Sequence, residues 1–295
     1  SEKNMIYIST GGYAEKSAYK TSLNFIKEGI SNIELSGGLY DAEMKTKLFK
    51  LQNSASFQIH NYFPPPEKPF VLNLASLNQE IASISLDHVK KAIRWSAELG
   101  QSIYSFHAGF LMDPKLEELG KKVQPRPLLS REECLLRFIE RVNLVDEYAQ
   151  SLGVKLLIEN NVLSAKNYRE FKANPFLMVT ADECVYVMRQ TSANVQLLVD
   201  VAHLKVSAQS LGFNPIDFLT SCDEWISAYH LSDNDGRRDN NKPISVNSWF
   251  WSYLRRGLSY YSLEIYYISP SELVKQRDLA MNILTGSDLC GVPRI

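Results

Sequence analysis

Short apolar runs alternate with amphipathic stretches along the whole chain. Met5–Ser9, Ile33–Ser36, Phe57–Asn61, Ile103–His107, Val154–Glu159, Val195–Asp200, Ile226–Leu231 and Tyr261–Tyr266 read as eight strands. Between them lie segments with helical spacing. In Lys16–Ile30, Tyr19, Leu23, Ile26 and Ile30 fall at helical intervals, and Asp41–Gln52 and Ser85–Leu99 follow the same pattern. Ser130–Leu152 is the clearest helix, opened by Ser130 and Glu133 as a capping box. Thr180 and Glu183 open another, running to about Gln190, and Ser269-Pro270-Ser271-Glu272 opens the last. Several strands are apolar throughout, which marks strands covered on both faces, as in a parallel sheet wrapped by helices. Eight strand–helix units in series predict a single (β/α)8 barrel domain over residues 1–295, with an open doubly wound sheet as the alternative.

Composition narrows the class. A chain of 295 residues with 45% hydrophobic and 22% charged residues has enough material for one full core. The net charge of −1 gives no global field for gathering nucleic acid or an anionic membrane. No run of 18 apolar residues suggests a membrane span, and no glycine-rich nucleotide loop follows any strand. Cys134, Cys184, Cys222 and Cys290 are scattered without metal-binding spacing, which suggests buried thiols in a reducing, cytoplasmic setting.

The chemistry-bearing residues gather at strand ends. His60, His107 and His230 end strands, and His203 follows Asp200 by three positions, whereas His88 lies in a helix, where it packs or faces water. Glu34, Glu159, Asp200 and Glu264 mark the same ends. A parallel barrel brings all such ends to one rim. Carboxylates inside apolar runs, as in LLIEN, LLVDV and SLEIY, need a cation, an arginine or a shared proton. Three of them with His230 form a donor set suited to Mn²⁺, Zn²⁺, Co²⁺ or Mg²⁺.

The stretches IELSGG, QIHNYF, YSFHAGF, LLIENN, LVDVAHL, YHLSDNDG and YSLEIY resemble the xylose isomerase-like barrel superfamily from about residue 5 to 270. That group contains sugar and sugar-phosphate isomerases and epimerases and the endonuclease IV branch of abasic-site repair enzymes. The resemblance implies that Glu159, Asp200, His230 and Glu264 bind a divalent metal, with Glu159 and Glu264 as the catalytic acid/base pair acting through an enediolate. It places His203 at a substrate-contacting position. For the nuclease branch it implies a further metal on His60, His107 and Glu159, and a third on Asp239 and His203. Asn241 stands where that third site needs a histidine.

Two rim loops, Ala108–Leu129 and Asn161–Val179, are long enough to act as lids. Lys166, Arg169, Lys172, Arg237 and Arg238 are candidates for an anionic group, with Arg237 and Asp239 assigned to substrate binding. Tyr62, Phe63, Phe110, Trp249 and Trp251 are candidates for stacking on a sugar. The leading expectation is a metal-dependent sugar or sugar-phosphate isomerase or epimerase. A phosphodiester hydrolase, and a barrel that binds a ligand without turnover, are the alternatives. The expected partner is a small sugar; nucleic acid ranks below it.

Overall fold

The computed structural model describes residues 5–13, 16–118 and 123–286. Cys290 and residues 119–122 of the rim loop after the fourth strand lie outside them. Eight parallel strands close into a barrel in chain order. They are β1 Ile6–Ser9, β2 Asn32–Leu35, β3 Ser56–His60, β4 Ile103–His107, β5 Lys155–Glu159, β6 Val195–Asp200, β7 Ile226–Leu231 and β8 Tyr261–Leu263. The intervening helices are α1 Ala18–Lys27, α2 Met44–Leu51, α3 Gln79–Glu98, α4 Arg131–Ser151, α5 Ala165–Phe171, α6 Ala181–Arg189, α7 Val201–Leu211, α8 Pro215–Cys222 and α9 Pro270–Thr285. Both faces of the strands are buried, one by the barrel interior and one by the helices, which is why the runs lack alternation.

Helix starts follow side-chain caps. Ser130, Thr180 and Ser269 accept from the backbone N–H groups of Glu133, Glu183 and Glu272, as the sequence predicts. Helix α3 begins six residues before the expected Ser85, because the Asn78 carboxamide accepts from Glu80 N and Ile81 N. Helix α5 lies inside the stretch predicted as the fifth loop, capped by Ser164. Asn214 and Pro215 open α8, and Asp200 opens α7 directly from β6. Strand β8 ends at Leu263, three residues short of expectation, although Glu264 N still donates to Leu231 O. No helix among the described residues is long and apolar enough to cross a membrane. Cys134, Cys184 and Cys222 are free and buried.

Register positions the rim. His60 pairs with Ser105, His107 with Glu159, Asp200 with His230, and His230 with Ser262. Neighbouring strands therefore end at one level and present their terminal side chains to one point.

Candidate metal centre

Glu159, Asp200, His230 and Glu264 each offer a ligand atom, and all four atoms lie within 4.8 Å of one another. His230 Nδ1 lies 3.1 Å from Glu264 Oε1, 3.4 Å from Glu159 Oε1 and 3.8 Å from Asp200 Oδ2. His60, His107 and Glu159 form a second such group. Both imidazole Nε2 atoms of that group stand 3.2 Å from Glu159 Oε2, and 3.3 Å from each other. Glu159 thus belongs to both groups. The His107 side chain is the open edge of the cluster at 40% exposure, whereas His60, Glu159 and Asp200 are each 1% exposed.

Each element holds its residue by a local device. The Asp200 carboxylate caps α7 through Oδ1, which accepts from His203 N at 2.8 Å. That bond fixes the side chain and leaves Oδ2 for the cluster. Asn160 braces the ends of β5 and β6 together: its Oδ1 accepts from Asp200 N and its Nδ2 donates to Asp200 O. The Asn160 carbonyl also accepts from His203 Nδ1 at 3.0 Å, so His203 Nε2 points at Asp239 Oδ2, 3.0 Å away.

Charge dominates the pocket. Burial pushes the Glu159 carboxyl up, but the His107, His230 and His60 imidazoles outweigh it and hold it well below the ordinary range. Asp200 moves the other way: burial, with Glu159, Glu264 and Asp239 nearby, raises it well above its usual value despite His203. The His230 and His203 imidazoles are held well above theirs; burial opposes the charge, and the surrounding carboxylates overcome it. Both oxygens of Glu159, Asp200 Oδ2 and His230 Nδ1 are buried without a directed hydrogen bond. Unpaired buried acceptors are costly. Here they converge on one point, and a carboxylate–imidazole donor set of this kind fits a divalent cation.

Other expectations change. Asn241, where the resemblance asks for a third-site histidine, donates Nδ2 to the Glu264 carbonyl at 2.9 Å and accepts from Tyr266 N. Its Nδ2 braces Glu264. Arg237 and Arg238 are exposed, and their backbone N–H groups donate to Asp235. Lys166, Arg169 and Lys172 are exposed on and just after α5.

The aromatic stacking expectation is corrected for Phe63 and Trp251, which are buried. Phe63 is fully buried against Trp95, and Tyr62 stacks on His88. Phe110 packs on Phe176, and Trp251 Nε1 donates to Ser245 O. Trp249 packs partly buried against the core. The stretch Asn73-Leu74-Ala75-Ser76 does structural work: the Asn73 and Ser76 side chains donate to Asp113, and Arg141 donates to Leu74 O and Ser76 O.

The sequence reading also missed functional neighbours. Glu34, noted as a strand-end acid without a role, is fully buried with Oε2 2.9 Å from His230 Nε2. Tyr266 fills the space over Gly11 and Gly12, where added Cβ atoms would meet it at 2.5 and 2.7 Å. The Gly11-Gly12 pair after β1 was the available signal, since paired glycines at a strand end mark close approach.

Known proteins agree with this architecture. Residues 33–259 match the family described as xylose isomerase-like TIM barrel. A D-tagatose 3-epimerase-like protein superposes with a TM-score of 0.71 at 20% identity, over 95% of this chain and 97% of that one. A Thermus thermophilus protein soaked with ZnCl2 gives 0.60 at 20% identity, over 94% and 97%. The 3-keto-D-glucoside 4-epimerase of E. coli gives 0.63 at 14% identity, over 94% and 98%. No curated protein sequence matches. The closed barrel, its rim of carboxylates and imidazoles and the match over most of its length lead to one conclusion: the chain belongs to the xylose isomerase-like TIM barrel family.

Proposed function

We propose that the protein is a divalent-metal-dependent isomerase or epimerase of a sugar or sugar phosphate. The observation that carries this reading is the approach of two glutamates, Glu159 and Glu264, to the same imidazole nitrogen of His230 beside Asp200. A divalent ion held by these four residues would supply Lewis-acid stabilisation of negative charge on substrate oxygens. One glutamate takes the proton from the carbon beside the carbonyl. The other returns a proton to the carbon skeleton, so that atoms and electrons balance and the reaction is redox-neutral overall. Glu264, at 7% exposure, is the more open of the two and is assigned as the base. We assign His203, held between Asn160 and Asp239, to contact with the substrate, with Asp239 beside it and Arg237 from the same loop. The similarity to sugar epimerases supports the substrate class.

Hydrogen–deuterium exchange at the carbon beside the ketose carbonyl tests this reading. The metal-loaded wild type should exchange in D₂O, and Glu264→Gln should not. Exchange retained in that variant excludes Glu264 as the base.

One observation favours a second reading, metal-dependent phosphodiester hydrolysis. His60, His107 and Glu159 make a second donor group that shares Glu159 with the first. Against a three-ion version stands Asn241, which offers no imidazole and whose Nδ2 donates to Glu264 O. Strong incision of an abasic-site duplex by the metal-loaded protein would reverse the ranking.

A further inference from the structure

A run of buried polar side chains lies behind the donor atoms and takes no part in the proton transfer proposed above. It begins at His60, whose Nδ1 is 2.7 Å from Ser105 Oγ. Ser105 hydrogen-bonds the Tyr260 hydroxyl, and Tyr260 donates to Glu34 Oε2. The same Glu34 oxygen lies 2.9 Å from His230 Nε2. All five residues are at most 1% exposed. The chain of bonds joins one histidine of each donor group, and the two rings already meet edge-on at 4.5 Å.

Proton counting fixes the direction of every bond. Glu34 Oε2 accepts from the Tyr260 hydroxyl and faces His230 Nε2, and a carboxylate has no proton to give, so it is an acceptor only. Tyr260 has one proton and gives it to Glu34. Ser105 must then donate its single proton to the Tyr260 oxygen. Having spent it, Ser105 accepts from His60 Nδ1–H. At the other end, His230 Nε2–H donates to Glu34. In a neutral ring the second nitrogen then bears the lone pair. Those second nitrogens are His60 Nε2 and His230 Nδ1, the two that face Glu159.

We propose that Glu34 is a positioning residue which, directly and through Tyr260 and Ser105, holds His230 and His60 in their metal-ligating tautomers and ties the two donor groups together. Carboxylate partners of ligating histidines fix ring orientation and raise ligand basicity, and their loss costs 10–100-fold in metal affinity as a rule. Here one carboxylate serves two histidines on strands 3 and 7, across the barrel interior. The proposal rests on the metal-dependent reading above, but on none of its chemistry.

The test uses Zn²⁺ alone. Its affinity is measured by chelator competition for the wild type, Glu34→Gln, Glu34→Asp and Tyr260→Phe, with thermal melts to confirm folding. Glu34→Gln should weaken Zn²⁺ binding about 10–100-fold. Tyr260→Phe should weaken it less, and Glu34→Asp should recover part of the loss. Nitrogen-15 spectra of the Zn²⁺-loaded wild type should show protons on His230 Nε2 and His60 Nδ1, an outcome that needs no variant to fold. A residue that only supports the fold would lower the melting temperature and leave affinity and tautomers unchanged, which overturns the proposal. A His230 proton on Nδ1 also overturns it. If Zn²⁺ does not bind the wild type, the metal-dependent reading falls and the relay with it. If Zn²⁺ binds tightly and equally to Glu34→Gln, the relay alone falls.

Discussion

The two ends of the barrel bury carboxylates in opposite ways. Near the N-terminal ends of the strands, Asp146 on α4 is 3% exposed and fully satisfied. Its Oδ1 accepts from Asn194 Nδ2 at 2.9 Å, and its Oδ2 accepts from Gln150 Nε2 and Ser192 Oγ at 2.8 and 2.6 Å. At the C-terminal ends, Glu159 is 1% exposed with no directed hydrogen bond to either oxygen, among imidazoles and other acids. The first carboxylate ties α4 to the segment before β6, and its environment is complete. The second is surrounded by donor atoms whose arrangement fits a cation. A barrel separates these tasks in space: its lower end holds the fold together, and its upper rim stores unfavourable electrostatics for use.

Removing each carboxylate should break the comparison cleanly if it is wrong. Glu159→Gln should lower kcat/KM by about 10³-fold or more, with a smaller loss of stability than Asp146→Ala. Asp146→Ala should do the reverse, costing about 2–4 kcal/mol because three donors lose their acceptor, with activity per folded molecule unchanged. Urea melts beside steady-state rates decide it; a Glu159→Gln protein less stable than Asp146→Ala would remove the distinction.

His88 sharpens the contrast among histidines. It is buried on α3 with Nε2 3.0 Å from Asn61 O, and burial, only partly opposed by that carbonyl, pushes its imidazole down to about 4. The His203 and His230 imidazoles are pushed up by carboxylates instead. An imidazole at its ordinary 6.5 in the unfolded chain binds more protons than the folded one between those values. Stability from this group is therefore present above 6.5 and lost as pH falls toward 4, by up to about 3 kcal/mol. His88→Gln should flatten the stability–pH slope in that window relative to the wild type, and an unchanged slope would contradict the burial argument.

Cation addition probes the rim alone. Zn²⁺ at a hundred times its dissociation constant should stabilise the wild type by about 2.7 kcal/mol. Asp146→Ala should gain the same increment and Glu159→Gln much less, as read by melts with and without chelator. Equal gains in both variants would place the ion elsewhere.

Much of this division was legible in the sequence, because apolar runs ending in an acid or histidine mark buried strands with polar tips. The caps at Ser130, Thr180 and Ser269 were equally plain. The start of α3 was not, since it relies on the Asn78 cap, whose carboxamide accepts from Glu80 N and Ile81 N. Glu34 was visible as an acid, but its partner His230 lies 196 positions away on a strand that is not its neighbour. Only closure of the barrel brings them together. Rim aromatics misled because position near a strand end does not give direction: Phe63 turns inward onto Trp95. Asn241 reads in the sequence as a missing ligand, and its actual use depends on a backbone carbonyl that no side-chain pattern reveals.

Asn241 gives the smallest and most specific test, because it joins both tasks in one residue. Its φ of 51° lies in the left-handed region, which Asn tolerates better than most residues, and its amide holds the Glu264 carbonyl. Asn241→Gly keeps the backbone freedom and loses the bond, at a cost of about 1 kcal/mol. Asn241→Ala loses both, and should cost about 2 kcal/mol. The difference between the two melts isolates the backbone strain, and no difference would mean the turn relaxes. Deuterium exchange in the glycine variant then separates bracing from catalysis. A fall of several-fold at unchanged metal affinity means that the bond aims Glu264 at its substrate. Full activity means that β8 and the Glu264 N–H bond to Leu231 O already fix the glutamate, and that Asn241 serves stability alone.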